Sequence, residues 1–336
     1  MRHQQDRHKR GTFLLFALAV VLLVTGCTSD FNALNSVTDR GDKIAWLTNL
    51  SFILSFIVMG MVFVLLIFAL IRFRSGAPST REGNTRLEII WTALPALLLI
   101  VLFVFTVRTV INTSDNHAEG ADVLHVTITG KQWWWNVEYP DLGITTANVL
   151  HLPVDRPVAI TLKSTDVIHS LWIPEIGWKL DNIPGKTNVL NFTLHQTGEF
   201  DGACAEFCGV QHAWMRIKLY AQPGDAFSSW ANAAAGNAIP PDSQILQNGK
   251  SVFLTQSCAS CHTIKGVSEV TNVGPDLTHF ASREFIGGGV VENNDANLEA
   301  WLRDPSAIKP GVLMPGFNNL PDEEIKALLA YLRSLK

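Results

Sequence analysis

Two long apolar runs, residues 44–71 and 89–107, constrain this chain more than any other feature. The first is long enough to cross a bilayer with tilt, and the second is close to the minimum for a span. Both fall in the first third of the 336 residues, so the expectation is a two-helix transmembrane hairpin carrying a soluble remainder large enough for two compact domains. The connector between the runs holds Arg72, Arg74, Arg81 and Arg86 against one acid, Glu82. That bias places the connector in the cytoplasm and both ends of the hairpin outside. A net charge of −4 gives nothing for nucleic acid to bind.

Residues 1–26 begin basic (Arg2, Arg7, Lys9, Arg10), turn apolar over 13–24 and end in Thr25-Gly26 before Cys27. This is the form of an export signal, and small residues ahead of a cysteine make Cys27 a lipidation candidate. The competing readings are a plain signal peptide or an uncleaved anchor, each with a chance cysteine. The membrane anchor is then 27–112. An exported mature N-terminus follows from the signal independently of the arginine bias, and the two agree. Glu88 stands at the cytoplasmic edge of the second run, either as a boundary residue among headgroups or as part of a proton path.

Beyond about residue 112 the pattern becomes short and alternating, at 123–129, 157–163, 189–194 and 215–220. Leu124, Val126 and Ile128 share one face of their segment, and Val158, Ile160 and Leu162 do so in theirs. With Gly, Pro, Asn and Asp between, this is the rhythm of an antiparallel β-sandwich over 113–225. Residues 226–242, rich in Ala, Asn, Gly and Pro, read as a linker. A last unit, 243–336, shows helical patterns at 244–256, 297–303 and 321–335. The last of these lines one face with Ile325, Leu328, Leu329, Leu332 and Leu335.

Two motifs carry chemistry. Cys204-Ala-Glu206-Phe-Cys208-Gly-Val-Gln-His212-Ala-Trp-Met215 gathers two thiols, an imidazole and a thioether, the soft and borderline donors that copper prefers. Two bridging thiolates can hold two metal ions close together, with an imidazole or thioether capping each. Only one histidine is local, so a second must come from His117, His125, His151, His169 or His195. His169 is favoured by its place at a strand end before Pro174. A local disulfide and a zinc site are the competing readings, and zinc seldom uses methionine. The second motif, Cys258-Ala-Ser-Cys261-His262, is the pattern of covalent haem attachment: thioethers at Cys258 and Cys261, with His262 reaching the iron. A thioredoxin-like thiol pair or a chance match is the competing reading, and no βαβ pattern surrounds Cys258 to support the former. Met314 is the sole methionine of that unit and the candidate sixth ligand; His279 is its other histidine. Met314 as a packed core residue is the alternative. The triplet Gly287-Gly288-Gly289 reads as a flexible turn.

The first motif resembles the binuclear copper (CuA) site of the cytochrome c oxidase subunit II family. The same family's tryptophan-rich stretch is matched at Lys131-Gln132-Trp133-Trp134-Trp135, its His-Ser to Pro-Gly stretch from His169 to Gly185, and its anchor at Glu88–Thr92. The resemblance spans roughly 30–222 and implies a cupredoxin-like sandwich. It implies further that Cys204 and Cys208 bridge two coppers, that His169 and His212 each bind one, and that Met215 and the Glu206 carbonyl are weaker ligands. It also implies a magnesium ion reached by the Glu206 side chain at the contact with subunit I, electrons arriving through Trp133, and Glu88 at the mouth of a proton channel. The family usually has tyrosine or phenylalanine where Trp134 stands. By strand alternation Trp133 and Trp135 should share a face.

Residues 243–336 resemble a small all-α class I c-type cytochrome, with Gly274-Pro275-Asp276-Leu277 as its turn. Together the two resemblances imply the caa-type branch, in which haem c is fused to the copper subunit. Electrons would come from an external donor (a cytochrome c or a quinol–cytochrome c reductase complex), pass haem and copper, and reduce oxygen to water in subunit I with proton translocation. The implied place is the bacterial cell membrane, multi-pass, with copper and haem domains on the extracytoplasmic face among other oxidase subunits. A copper-delivery membrane protein with a haem redox sensor, or a terminal reductase for another substrate such as nitric oxide, are the remaining readings. A quinol oxidase subunit would lack the copper cysteines.

Overall fold

The computed structural model describes residues 31–74, 83–113, 122–271 and 273–336. The export signal, Cys27, His117, Arg81 and Glu82 lie outside the described residues.

Two helices follow the apolar runs, α1 (Asp39–Arg72) and α2 (Thr85–Thr113). At about 1.5 Å per residue each exceeds the roughly 30 Å of bilayer hydrocarbon, so both extend past it. Their apolar side chains face outward all round, with Phe56 75% and Ile71 73% exposed. Such surfaces need lipid or another protein to cover them. Trp46 packs edge-on against Phe105 at 5.5 Å and joins the pair. The start of α1 is fixed to the next domain. The Thr38 hydroxyl accepts from Gly41 N at 2.9 Å, capping the helix, and donates to the Ile176 carbonyl at 2.8 Å. Val37 beside it is fully buried.

The sandwich has ten strands: β1 (Leu124–Lys131), β2 (Trp134–Tyr139), β3 (Ile144–Ala147), β4 (Val149–Pro153), β5 (Pro157–Ser164), β6 (His169–Trp172), β7 (Leu180–Asn182), β8 (Asn188–Thr193), β9 (Gly198–Cys204) and β10 (Arg216–Gln222). They form two sheets, ordered β3-β2-β1-β5-β8 and β4-β10-β9-β6-β7. The alternation in the sequence holds: Leu124, Val126, Ile128, Val158, Ile160 and Leu162 are all buried between the sheets. Two pairings, β1 with β5 and β4 with β10, are parallel, so the sandwich is mixed rather than wholly antiparallel. The chain crosses to the second sheet at β4 before β5 returns to lie beside β1, and a return of that kind sets the strand parallel.

One expectation about the tryptophans fails. Lys131 pairs directly with Trp134, which leaves Gln132 and Trp133 as a two-residue hairpin turn. Trp133 therefore sits outside the alternation and does not share the face of Trp135, which is fully buried in the core.

Part of the presumed linker is a helix, α3 (Gly224–Ala234). Its alanines favour helix, and Phe227, Trp230 and Ala231 recur at helical spacing on the face that meets the sandwich. Trp230 stacks on His151 at 4.1 Å. The last unit contains α4 (Gln244–Thr255), α5 (Asp295–Arg303), α6 (Pro305–Ile308) and α7 (Asp322–Ser334), plus a pair of two-residue strands at Phe285–Ile286 and Val291–Glu292. The helices α4 and α7 pack at Gly249, where a Cβ would collide with the Ala327 carbonyl and lie 2.6 Å from Tyr331 Cβ.

That contact decides the sign of a substitution. Alanine in place of a mid-helix glycine normally stabilises by about 1 kcal/mol. Here overpacking, at about 1–3 kcal/mol, outweighs it. Gly249→Ala should lower the thermal transition of this last unit, followed by the helical circular dichroism signal on heating; a raised midpoint would contradict the crossing.

Candidate metal centre and cofactor cavity

Strands β9 and β10 bracket the thiol motif. Cys204 ends β9, and its N–H donates to the Met215 carbonyl at 3.0 Å, closing the loop at its base. Ala205 N–H donates to the Ser170 carbonyl at 2.9 Å, which ties the loop to β6. Since Leu171 pairs with Cys204 across β6 and β9, the first residue of β6, His169, stands beside the sulfurs. Gly130 makes room for that ring, because a Cβ there would lie 2.7 Å from His169 Cδ2.

The donors converge. The two Sγ atoms are 3.7 Å apart, far beyond the roughly 2.05 Å of a disulfide, and both cysteines are free. His169 Nδ1 is 4.0 Å from Cys204 Sγ. His212 Nδ1 is 3.8 Å from Cys208 Sγ, and Met215 Sδ is 4.0 Å from the same sulfur. The Glu206 carbonyl is 3.2 Å from Cys204 Sγ, while the Glu206 side chain is exposed. Among the described residues, His169, Cys204 and Cys208 form the one cluster of histidine, cysteine and carboxylate side chains tight enough to hold a metal.

Electrostatics prepare these atoms. The hydrogen bond from Cys208, with burial opposing it and His169 assisting, holds Cys204 as thiolate far below the ordinary thiol range. The same bond, with burial, pushes Cys208 up. Burial would lower the pKa of His169, but bonds to Cys204 and Asp166 outweigh it and raise it. His169 Nε2 donates to Asp166 Oδ1 at 2.8 Å, so Nδ1 is the nitrogen left for a metal. A second oxygen of Asp166 accepts from Gln132 N–H at 2.7 Å.

Neither Asp166 nor Gln132 was singled out in the sequence. The i, i+3 spacing from Asp166 to His169 is a usable signal, and Gln132 stands in the matched stretch 131–135, where the resemblance gives it no role of its own. Gln132 Nε2 and Trp133 Nε1 both donate to the Cys208 carbonyl, at 2.7 and 2.9 Å. The other described histidines are engaged elsewhere. His125 bonds Asp141 and His195 bonds Asp42. His151 lies between Tyr220 and Trp230, and burial pushes its pKa down to about 4.

The second motif borders a largely apolar cavity of about 500 Å³, lined by Cys258, Cys261, His262 and Met314 among others. That volume lies within the roughly 300–1,000 Å³ of cofactor pockets. His262 Nδ1 donates to the Pro275 carbonyl at 2.8 Å, which fixes the ring and leaves Nε2 for a ligand bond. Gly274 permits this, because a Cβ there would lie 2.7 Å from His262 Cε1. His279 is held by the Lys336 and Gly236 carbonyls instead, which leaves Met314 as the thioether of the cavity. Arg283 lines the cavity; its Nη2 donates to the Asp276 carbonyl, and its buried Nε has no hydrogen-bond partner among the described residues, so it could bond an acidic cofactor. Two free thiols, an imidazole, a thioether and this arginine suit a covalently held haem.

A cupredoxin-like sandwich with a two-cysteine centre, joined to a cytochrome c unit and a two-helix anchor, is an electron-transfer protein of the membrane. Residues 28–109 match the transmembrane domain of cytochrome c oxidase subunit II, 143–221 its periplasmic domain, and 246–336 cytochrome c. Cytochrome c oxidase subunit 2 of Alkalihalophilus pseudofirmus is 37% identical over 94% of this chain and 95% of that protein. That of Bacillus subtilis is 34% identical over 98% of each chain. Quinol oxidase subunit 2 of Bacillus subtilis is 30% identical over 67% of this chain and 73% of that protein. The chain belongs to the cytochrome c oxidase subunit II family.

Asp166→Asn keeps every donor but weakens the anchor of His169. Copper affinity should fall about 10–100-fold, measured by competition with a chelator. An unchanged affinity would remove Asp166 from the support of the site.

Proposed function

We propose that this chain is the electron-transfer subunit of a respiratory oxidase of the fused-cytochrome type, taking electrons at its haem c and passing them through its binuclear copper to subunit I, where oxygen is reduced to water. The observation that carries this reading is the reduced sulfur pair, ringed by His169, His212 and Met215, on the same chain as the Cys258–His262 cavity. When bound, the coppers and the haem supply one-electron redox chemistry.

The residues do the rest. Cys204, Cys208, His169 and His212 would hold the coppers, with Met215 and the Glu206 carbonyl as weaker donors. Cys204, Cys208 and Met215 are buried, which keeps water from the sulfurs and lets nearby hydrogen bonds set the potential. Cys258 and Cys261 would hold a haem covalently, and His262 and Met314, which line the same cavity, would be its nitrogen and sulfur donors.

The finer features belong to the same reading. The arginine bias of the α1–α2 connector puts the copper and haem domains on the outer face of the bacterial membrane. The exposed Glu206 carboxylate is offered to a magnesium ion at the subunit I contact. Glu88, in the first turn of α2, marks the start of a proton path at the opposite membrane face. Cys27 carries lipid. The external donor is a cytochrome c or the quinol–cytochrome c reductase complex.

The test is purification of the chain with its companions. A large polytopic oxidase subunit should accompany it, and the complex should consume oxygen with the native donor. Cys261→Ser should leave the complex assembled and its copper intact but abolish most donor-driven uptake. Normal turnover in that variant would mean that electrons bypass the haem. Met215→Leu should keep copper bound while shifting its potential; an unchanged potential would place Met215 outside the ligand set.

A further inference from the structure

The glycine triplet and one lysine of the haem domain lie against the copper domain. Gly287, Gly288 and Gly289 all have left-handed backbone, with φ of 65°, 82° and 84°. Three such residues in a row form a bulge that few other sequences could adopt. Its tip meets the copper domain: the Gly288 carbonyl accepts from Arg216 N–H at 3.1 Å, a backbone bond joining the two domains. The contact leaves no room for side chains. A Cβ on Gly288 would lie 2.9 Å from Lys309 Nζ and 3.4 Å from the Trp214 carbonyl. One on Gly289 would lie 2.8 Å from Arg216 Cβ.

Lys309 lies under the same bulge. It is 3% exposed, and its ammonium donates to the Trp133 carbonyl at 3.2 Å. Burying an ammonium without a carboxylate is costly, so the position calls for a reason. The backbone beside it is held too, since Gln211 Nε2 donates to the Lys309 and Pro310 carbonyls at 3.4 and 3.0 Å. The residue on which Lys309 bears is Trp133, whose indole donates to the Cys208 carbonyl and which also forms part of the wall of the haem-domain cavity. One tryptophan thus touches the cavity on one side and the thiolate loop on the other.

We propose that Lys309 and the bulge 287–289 are a positioning latch: they hold the haem domain on the copper domain with Trp133 fixed between cavity and thiolate loop. The latch rests on the electron-transfer reading given above. It assigns the triplet a docking role in place of a flexible turn. It also makes Trp133 an internal relay surface covered by the fused domain, so an external donor meets the haem domain rather than this tryptophan.

The test uses the full chain in its assembled oxidase, loaded with haem and copper. Lys309→Met removes the ammonium and keeps the chain length; Gly288→Val wedges the contact open. Both variants should retain the haem absorbance and the copper resonance. Loss of a charged hydrogen bond should speed hydrogen exchange in the peptide containing Arg216 by roughly tenfold in Lys309→Met, and by more in Gly288→Val. Haem-to-copper transfer, followed after photochemical reduction of the haem, should slow in the same order. Oxygen uptake driven by a small reductant that reduces the copper directly should be unchanged.

The latch is wrong if exchange at Arg216 stays at the wild-type level in both variants. It is equally wrong if protection is lost and transfer keeps its wild-type rate, or if Lys309→Met loses the haem or copper spectrum and so acts on folding. A wild-type chain lacking either spectrum would instead overturn the electron-transfer reading beneath it.

Discussion

The contact between Cys204 and Cys208 sets the terms for the rest of this molecule. Two sulfurs 3.7 Å apart, unbonded and buried, are an unstable arrangement for a protein to maintain without a purpose. Each would be better solvated outside or better satisfied in a disulfide. The sandwich holds them in place through the order β10-β9-β6. That order closes the loop from Cys204 to Met215 and brings His169, 35 residues before Cys204, to the same point. Gly130, Asp166 and Gln132 then fix the ring and the loop from the other sheet and its edge loops. The sandwich is thus a frame for a cluster of donors whose spacing the backbone decides before any metal arrives.

The second centre is built differently. Its cysteines and histidine come from five consecutive residues, so local sequence suffices for most of it. The fold adds the thioether of Met314, the carbonyl of Pro275 that orients His262, and the close α4–α7 packing at Gly249. The two centres meet at Trp133, which bonds the loop of one and walls the cavity of the other. The anchor enters through Thr38 and Val37, which bind the start of α1 into the sandwich, so the copper domain sits at a fixed place relative to the spans.

Much of this was legible in the residues. Motifs whose members lie close in sequence carry their chemistry on their face, which is why Cys204, Cys208, His212 and Met215, and likewise Cys258, Cys261 and His262, could be named without a fold. Strand faces were legible because the side-chain period of two is sharp when one face is buried. What was not legible depended on partners distant in sequence. Asp166 and Gln132 matter through where the sheets put His169 and Cys208. Trp133 broke the alternation because it falls in a turn, and a run of tryptophans gives no sign of where a strand begins. The stretch 226–242 looked like a linker by composition, yet its first half is helical, since alanine with a few well-spaced aromatics folds once a surface receives them. The glycine triplet was equally ambiguous: composition tells of freedom, and only contact tells what the freedom serves.

The most direct test is electron paramagnetic resonance of the purified, copper-loaded chain. One unpaired electron shared by two copper nuclei is the predicted hyperfine pattern, because the proposed function has both sulfurs shared by the two metals. A pattern from one isolated copper, or a Cys204–Cys208 disulfide in fully active material, would contradict the account.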